Sequence, residues 1–187
     1  MSAPNSRSTS DIIITITTLI FAITSMVTVY ISLSAWNNER ESVRPYLTFY
    51  NSPEVYLENN YLNFSFAFYN VGFHPAASFH SQTLIVDYCL DDQPLHNDQF
   101  TLVNYIPQKT STDLMIKIDL EPTKIDYDNI NPHFIIINLK YTDPILEKNH
   151  EQIIFLRWEG ITNKNLQPIF HCSKEEKNLI LDYIKKF

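Results

Sequence analysis

Glycine is nearly missing from this chain: Gly72 and Gly160 are the only two in 187 residues. A loop that cradles phosphates, or a dinucleotide-binding turn, needs several positions without a Cβ atom close together, so nucleotide enzymes built on such loops are excluded. Cysteine is as scarce. Cys89 and Cys172 cannot make a disulfide framework, and their spacing leaves a single bridge between them open. Basic residues number 14 against 21 acidic ones, for a formal charge of -7, and no Lys/Arg cluster occurs. A surface that neutralises nucleic-acid phosphates is therefore not expected.

Local signatures of chemistry are thin as well. Six histidines (His74, His80, His96, His133, His150 and His171) lack the paired spacing that metal ligation on one helix or hairpin requires. His171 beside Cys172 makes two ligands, which is not a site. The stretch DYDNIN at 126–131 sets oxygen ligands on alternate residues from Asp126 onward, but it lacks the turn glycine and the closing glutamate of a calcium loop. No nucleophile elbow is present. The expectation is a protein that is not an enzyme and needs no metal or cofactor.

What the chain does have is one long apolar run at 12–35, IIITITTLIFAITSMVTVYISLSA, without charge or proline. At about 1.5 Å per residue it makes roughly 36 Å of helix, enough to cross a hydrocarbon core of about 30 Å. Asp11 and Asn37 bound it, and Tyr30 and Trp36 lie toward one end, where amphipathic rings settle at a membrane interface. A cleaved signal peptide is the rival reading. It calls for a shorter apolar core, a basic stretch before it and a small-x-small site after it, and Arg7 is the one basic residue ahead of the run. A single-pass cell-membrane helix over 12–36 is predicted, after a tail at 1–11 and before a polar spacer, NNERESVR, at 37–44. Arg40 and Arg44 after the run, against Arg7 and the amino terminus before it, tip the expected orientation toward a cytoplasmic C-terminal domain. Thr24, Thr28 and Ser32 recur every four residues on one face, with Thr17 and Ala35 near the same line. Small residues at that spacing let two helices approach closely, so self-association is one expectation. A lone anchor whose hydroxyls bond back to their own backbone is the other.

After Pro45 the pattern changes from continuous to alternating. Leu62, Phe64, Phe66 and Phe68 alternate with Asn63, Ser65 and Ala67, a period of two that puts four large side chains on one strand face. Leu114, Ile116, Ile118 and Leu120 repeat the pattern, as do Ile135, Ile137, Leu139 and Tyr141. Further strands are expected at 46–50, 55–57, 78–88, 100–103 and 152–158, with the ENN at 58–60 as a hairpin turn. About eight short strands in 45–160, without a helical period, predict a mainly β domain: an immunoglobulin-like antiparallel β-sandwich, with an up-and-down barrel as the runner-up. The many aromatic residues are read as filling a core about 10 Å thick.

The segment 161–187 is read as a linker followed by an amphipathic helix. Ser173 with Glu176 forms a capping box, Glu175 and Glu176 lie in the first turn, and Lys185 and Lys186 lie in the last. Leu179, Ile180, Tyr183, Ile184 and Phe187 make one stripe. That stripe is expected to dock on the sandwich or to meet a partner.

The order of an N-terminal helix, an RPYL start, an NVGFHPA turn, a YIPQKTS stretch and YTD before a strand ending in Trp158 resembles uncharacterised bacterial single-pass membrane proteins with an immunoglobulin-like sandwich. The likeness spans about residues 12–158 and rests on turn chemistry, with Asn70, Gly72, Pro75 and Ala76 at its centre. Members of that group usually have glycine near Gln108 and Lys109 and within PILEKN, where this chain has none. The resemblance implies no catalytic residues. The functional expectation is a membrane-anchored recognition or scaffold module whose partners are the bilayer and a protein or a second copy. The alternative is an oligomeric, pore-forming effector of the kind used in phage defence, with the sandwich as its sensor.

Overall fold

The computed structural model describes residues 9–59, 61–90, 93–119 and 129–185. Expectations placed on Arg7, Asn60, Leu120, Asp126, Lys186 and Phe187 lie outside these residues. The chain forms two compact units, Met1–Val43 and Arg44–Phe187.

The first unit is one helix, α1 (Thr9–Ser42), with no buried residue. It is longer than expected, since 37–42 continues the helix instead of forming a spacer. Glu39, Arg40 and Glu41 are good helix formers and nothing there breaks the hydrogen-bond ladder. The Arg40 guanidinium also stacks 4.8 Å from the Trp36 ring. Pro45 disfavours the helical conformation in the residue before it, and the helix has ended by then. Among the hydroxyls, Thr24 donates to the Ile20 carbonyl at 2.8 Å and Thr28 to the Thr24 carbonyl at 2.9 Å.

The second unit is an antiparallel β-sandwich. One sheet holds β1 (Leu47–Phe49), β2 (Glu54–Glu58), β3 (Tyr61–Asn70) and β6 (Ser111–Asp119), with β1 and β2 sharing one edge of β3 and β6 on the other. The other sheet has the order β11-β8-β7-β4-β5, from β4 (Ala76–Asp87), β5 (His96–Ile106), β7 (His133–Asp143), β8 (Lys148–Trp158) and β11 (Ile169–His171). The eight strands expected before Gly160 are all present. The inward rows are the ones that the alternation marked: Leu62, Phe64, Phe66 and Phe68 of β3 and Ile135, Ile137, Leu139 and Tyr141 of β7 share one core. Trp158 closes it, edge-on to Phe64 at 5.3 Å, with its indole N–H donating to the Gln167 carbonyl at 3.0 Å. The Gln152 side chain clips the two sheets together, giving its amide to the Leu47 carbonyl at 2.6 Å and accepting from the Leu47 N–H at 3.3 Å.

Three short strands after Gly160 carry no period that a sequence would show: β9 (Ile161–Thr162), β10 (Asn165–Leu166) and β11. Because β11 pairs with β8, the stretch expected as a linker extends the sheet. Gly160, at φ +82, lies against the Ile130 carbonyl oxygen, 2.0 Å from where a Cβ atom would sit. A side chain there would break the Ile130 to Ile161 bridge.

The last element, α2 (Lys174–Ile184), starts with the capping box that the sequence announced. The Glu176 amide donates to the Ser173 hydroxyl at 3.2 Å, and the Ser173 amide donates to the Glu176 carboxylate at 2.7 Å. It docks on the sandwich, with Ile180 and Tyr183 buried against Val86, Phe134, Ile136 and Cys172.

Candidate functional site

Residues that alternate inward on a strand leave the others facing out, and on the five-stranded sheet those outward rows differ along the strand. Pairing sets His80 of β4 opposite Thr101 of β5 and Lys140 of β7, with Lys140 opposite Glu151 of β8. The next outward row is Gln99, Gln82, Asn138 and Ile153, and the one after it Asn97, Leu84, Ile136 and Phe155. The first two rows are mostly polar; the third turns apolar, and Val86 and Phe134 continue it. The apolar part packs against α2. The polar part stays uncovered and holds two adjoining depressions, of about 390 and 430 Å³, which share His80 and Lys140.

Side chains on this platform hold one another in place. The Thr101 hydroxyl meets His80 Nδ1 at 2.9 Å, the Asn138 amide donates to Glu151 Oε1 at 2.7 Å, and Lys140 Nζ lies 3.6 Å from the same oxygen. The Lys140 to Glu151 pair is exposed on both sides and contributes little to stability. Asn138 Oδ1 is buried and receives no hydrogen bond from the protein among the described residues. An acceptor left so costs about 1 to 3 kcal/mol. Four strands about 4.8 Å apart present a band of donors and acceptors suited to an extended polar ligand lying across them. Within 130–185 and the rest of the described chain, no group of three or more His, Cys, Asp or Glu side chains is placed to hold a metal.

Elsewhere the ionisable groups serve the fold. Asp143 is fully buried and takes hydrogen bonds from His74 Nδ1 at 2.7 Å, from the Ile145 amide at 2.9 Å and from the Leu146 amide at 3.1 Å. Burial alone would raise its pKa, but these three bonds prevail and hold it below the ordinary value. Glu176 behaves alike: burial opposes its charge, and the Ser173 amide and the Arg157 guanidinium outweigh it, lowering its pKa. Burial, helped by the Glu176 charge, pushes the Cys172 thiol up to about 11. No disulfide joins Cys172, which is buried, to Cys89, which is exposed.

The residues singled out from the sequence lie apart from this platform. Thr24, Thr28 and Ser32 are exposed on α1. On α2, Ile180 and Tyr183 are taken up by the sheet, leaving Leu179 and Ile184 at the surface, so the four do not form one open partner-binding face. His80 was weighed only as a metal ligand, and the other platform residues escaped notice because they come from four separate strands. The available signal was the set of polar positions between the apolar ones, without the register that aligns them.

No family model matches the chain, and no curated protein matches it. Among solved structures it is similar to the X-ray structure of a Northeast Structural Genomics Consortium target, SoR45, at 13% identity and a TM-score of 0.41, over 71% of this chain and 96% of that one. It is also similar to part of beta-glucosidase 3B from Thermotoga neapolitana, solved in complex with alpha-D-glucose, at 9% identity and a TM-score of 0.34, over 68% of this chain and 17% of that one. Likenesses this distant say nothing about the activity of this chain.

Proposed function

We propose that this chain is a non-enzymatic recognition module held at a membrane by α1, with an immunoglobulin-like sandwich that presents the His80, Asn138, Lys140 and Glu151 platform to an extended polar segment of a partner protein. The anchor reading is supported by a helix of 34 residues that exposes Ile13, Phe21, Met26 and Val29 along its length. Apolar surface of that extent is stable in lipid and not in water. The observation that carries the recognition reading is the uncovered polar half of the sheet, with the unmet Asn138 Oδ1 beside it.

The test uses the full chain in its membrane, with a photo-crosslinking residue at Gln82 or, on the opposite sheet, at Lys117. A discrete adduct at Gln82 that disappears with Lys140→Glu, and no such adduct at Lys117, supports the platform; no adduct at Gln82 overturns it. Release of the chain by alkaline carbonate overturns the anchor.

A further inference from the structure

The sandwich has two ends. At one end lie the chain entry at 44–46 and the loops 70–75, 106–110 and 143–148. They are locked together by Asn70, whose Oδ1 accepts from the Gly72 and Tyr46 amides at 3.0 and 3.3 Å and whose amide donates to the His74 and Ile106 carbonyls at 2.9 and 3.3 Å. Gly72 lies so close to this entry that a Cβ would stand 2.3 Å from the Arg44 carbonyl oxygen. The His74 to Asp143 bond adds the fourth segment. The bonded assembly exposes large apolar side chains: Phe73 at 67%, Ile145 at 59%, and Val71 and Tyr46 at 48% each. Beside them stand the cations Arg44, Lys109 and Lys148, against Glu147 and the buried Asp143, in a chain whose formal charge is -7.

We propose that this loop end is a membrane-contact surface that rests on the interface of a bilayer containing anionic headgroups. The proposal depends on the reading of α1 as a spanning anchor. Given that anchor, connectivity limits Arg44 to about 16 Å from the level of Trp36, counting six helical residues and two extended ones. Loops clamped to 44–46 are then kept within reach of the headgroup layer by the tether, at an effective concentration that makes even a weak contact populated. Exposed aromatic and aliphatic side chains mixed with cations are the chemistry that such an interface binds. A protein surface could also cover them, and the experiment separates that case.

The full chain, with Cys89→Ser and the buried Cys172 retained, is reconstituted in vesicles of neutral lipid or of neutral lipid with phosphatidylglycerol. An environment-sensitive fluorophore is attached at one of four positions: Phe73→Cys, Ile145→Cys, Thr162→Cys at the far end, or Val27→Cys in α1. Lipid-borne quenchers at headgroup and acyl depth are then added. The expected result is loss of fluorescence at 73 and 145 with the headgroup quencher, none at 162, and a loss at 27 with the acyl quencher. Lys109→Glu should reduce the loss at 73 on the anionic vesicles. If 27 is quenched while 73 and 145 behave like 162, the contact is overturned and the anchor stands. If 27 is not quenched, both fall. Shielding at 73 that grows with protein density and ignores the lipid quencher means a protein contact and also overturns the proposal.

Discussion

On the outer face of the five-stranded sheet, Leu84, Val86, Phe134, Ile136 and Phe155 lie beneath α2, whereas His80, Gln82, Asn138, Lys140 and Glu151, farther along the same strands, stand open. The backbone is the same in both halves. What differs is whether the outward position carries a side chain that water rejects. Where it does, the chain supplies its own cover, with Ile180 and Tyr183 inserted from above and Arg157 bonded to Glu176 across the edge. Where it does not, the sheet stays bare and its polar groups are available. One half of the face is packed beneath α2, and the other stays open to solvent.

The sharpest way to break this contrast is to remove a covered side chain. Phe134→Ala should cost about 3 to 5 kcal/mol, because a fully buried ring leaves a cavity, and urea denaturation should show a correspondingly lower midpoint. The cover can be read without mutation through the thiols. With Cys172 buried and its pKa at about 11, a maleimide at pH 8 should modify Cys89 readily and Cys172 at least about a hundredfold more slowly. Mass spectrometry of the labelled chain checks this, and equal labelling would mean that α2 does not stay docked.

A smaller effect is expected at the edge of the cover. Glu176→Gln should lose about 1 to 2 kcal/mol at neutral pH, since it weakens both the capping box and the Arg157 pair. The native pKa of Glu176 is lowered, so the stability it contributes is complete above the ordinary carboxylate value and is lost as pH falls through the native one. The gap between wild type and variant in urea midpoint should therefore be flat above about pH 5 and close below about pH 4. The least effect belongs to the bare half: Lys140→Ala should shift stability by less than about 0.5 kcal/mol, as for other exposed positions. In the crosslinking assay the same change should weaken partner capture, and a large loss of stability instead would show that the platform is structural.

How much of this was readable beforehand depends on how local each signal is. The β3 row of Leu62 to Phe68 was readable, because a period of two in large apolar residues has one economical outcome. So was the start of α2, where the Ser173 and Glu176 side chains act within one turn. The extent of β5 was not: it runs over His96–Ile106 where 100–103 was expected, since an edge strand with mostly exposed residues shows little alternation. Lys109 and Glu147 fill left-handed positions, φ 59 and 54, a conformation that glycine adopts without strain. The loops keep their turns and accept the strain of a side chain there.

Local order in the chain was enough to determine a long apolar helix, a body of short alternating strands and a capped helix at the end, because each depends on side chains only a few residues apart. Tertiary structure alone decided which outward residues stand side by side, which of them α2 covers, and which loops meet Arg44. Those outcomes depend on pairing register between segments up to about a hundred residues apart, such as Gln152 with Leu47, and no period within a segment encodes its partner.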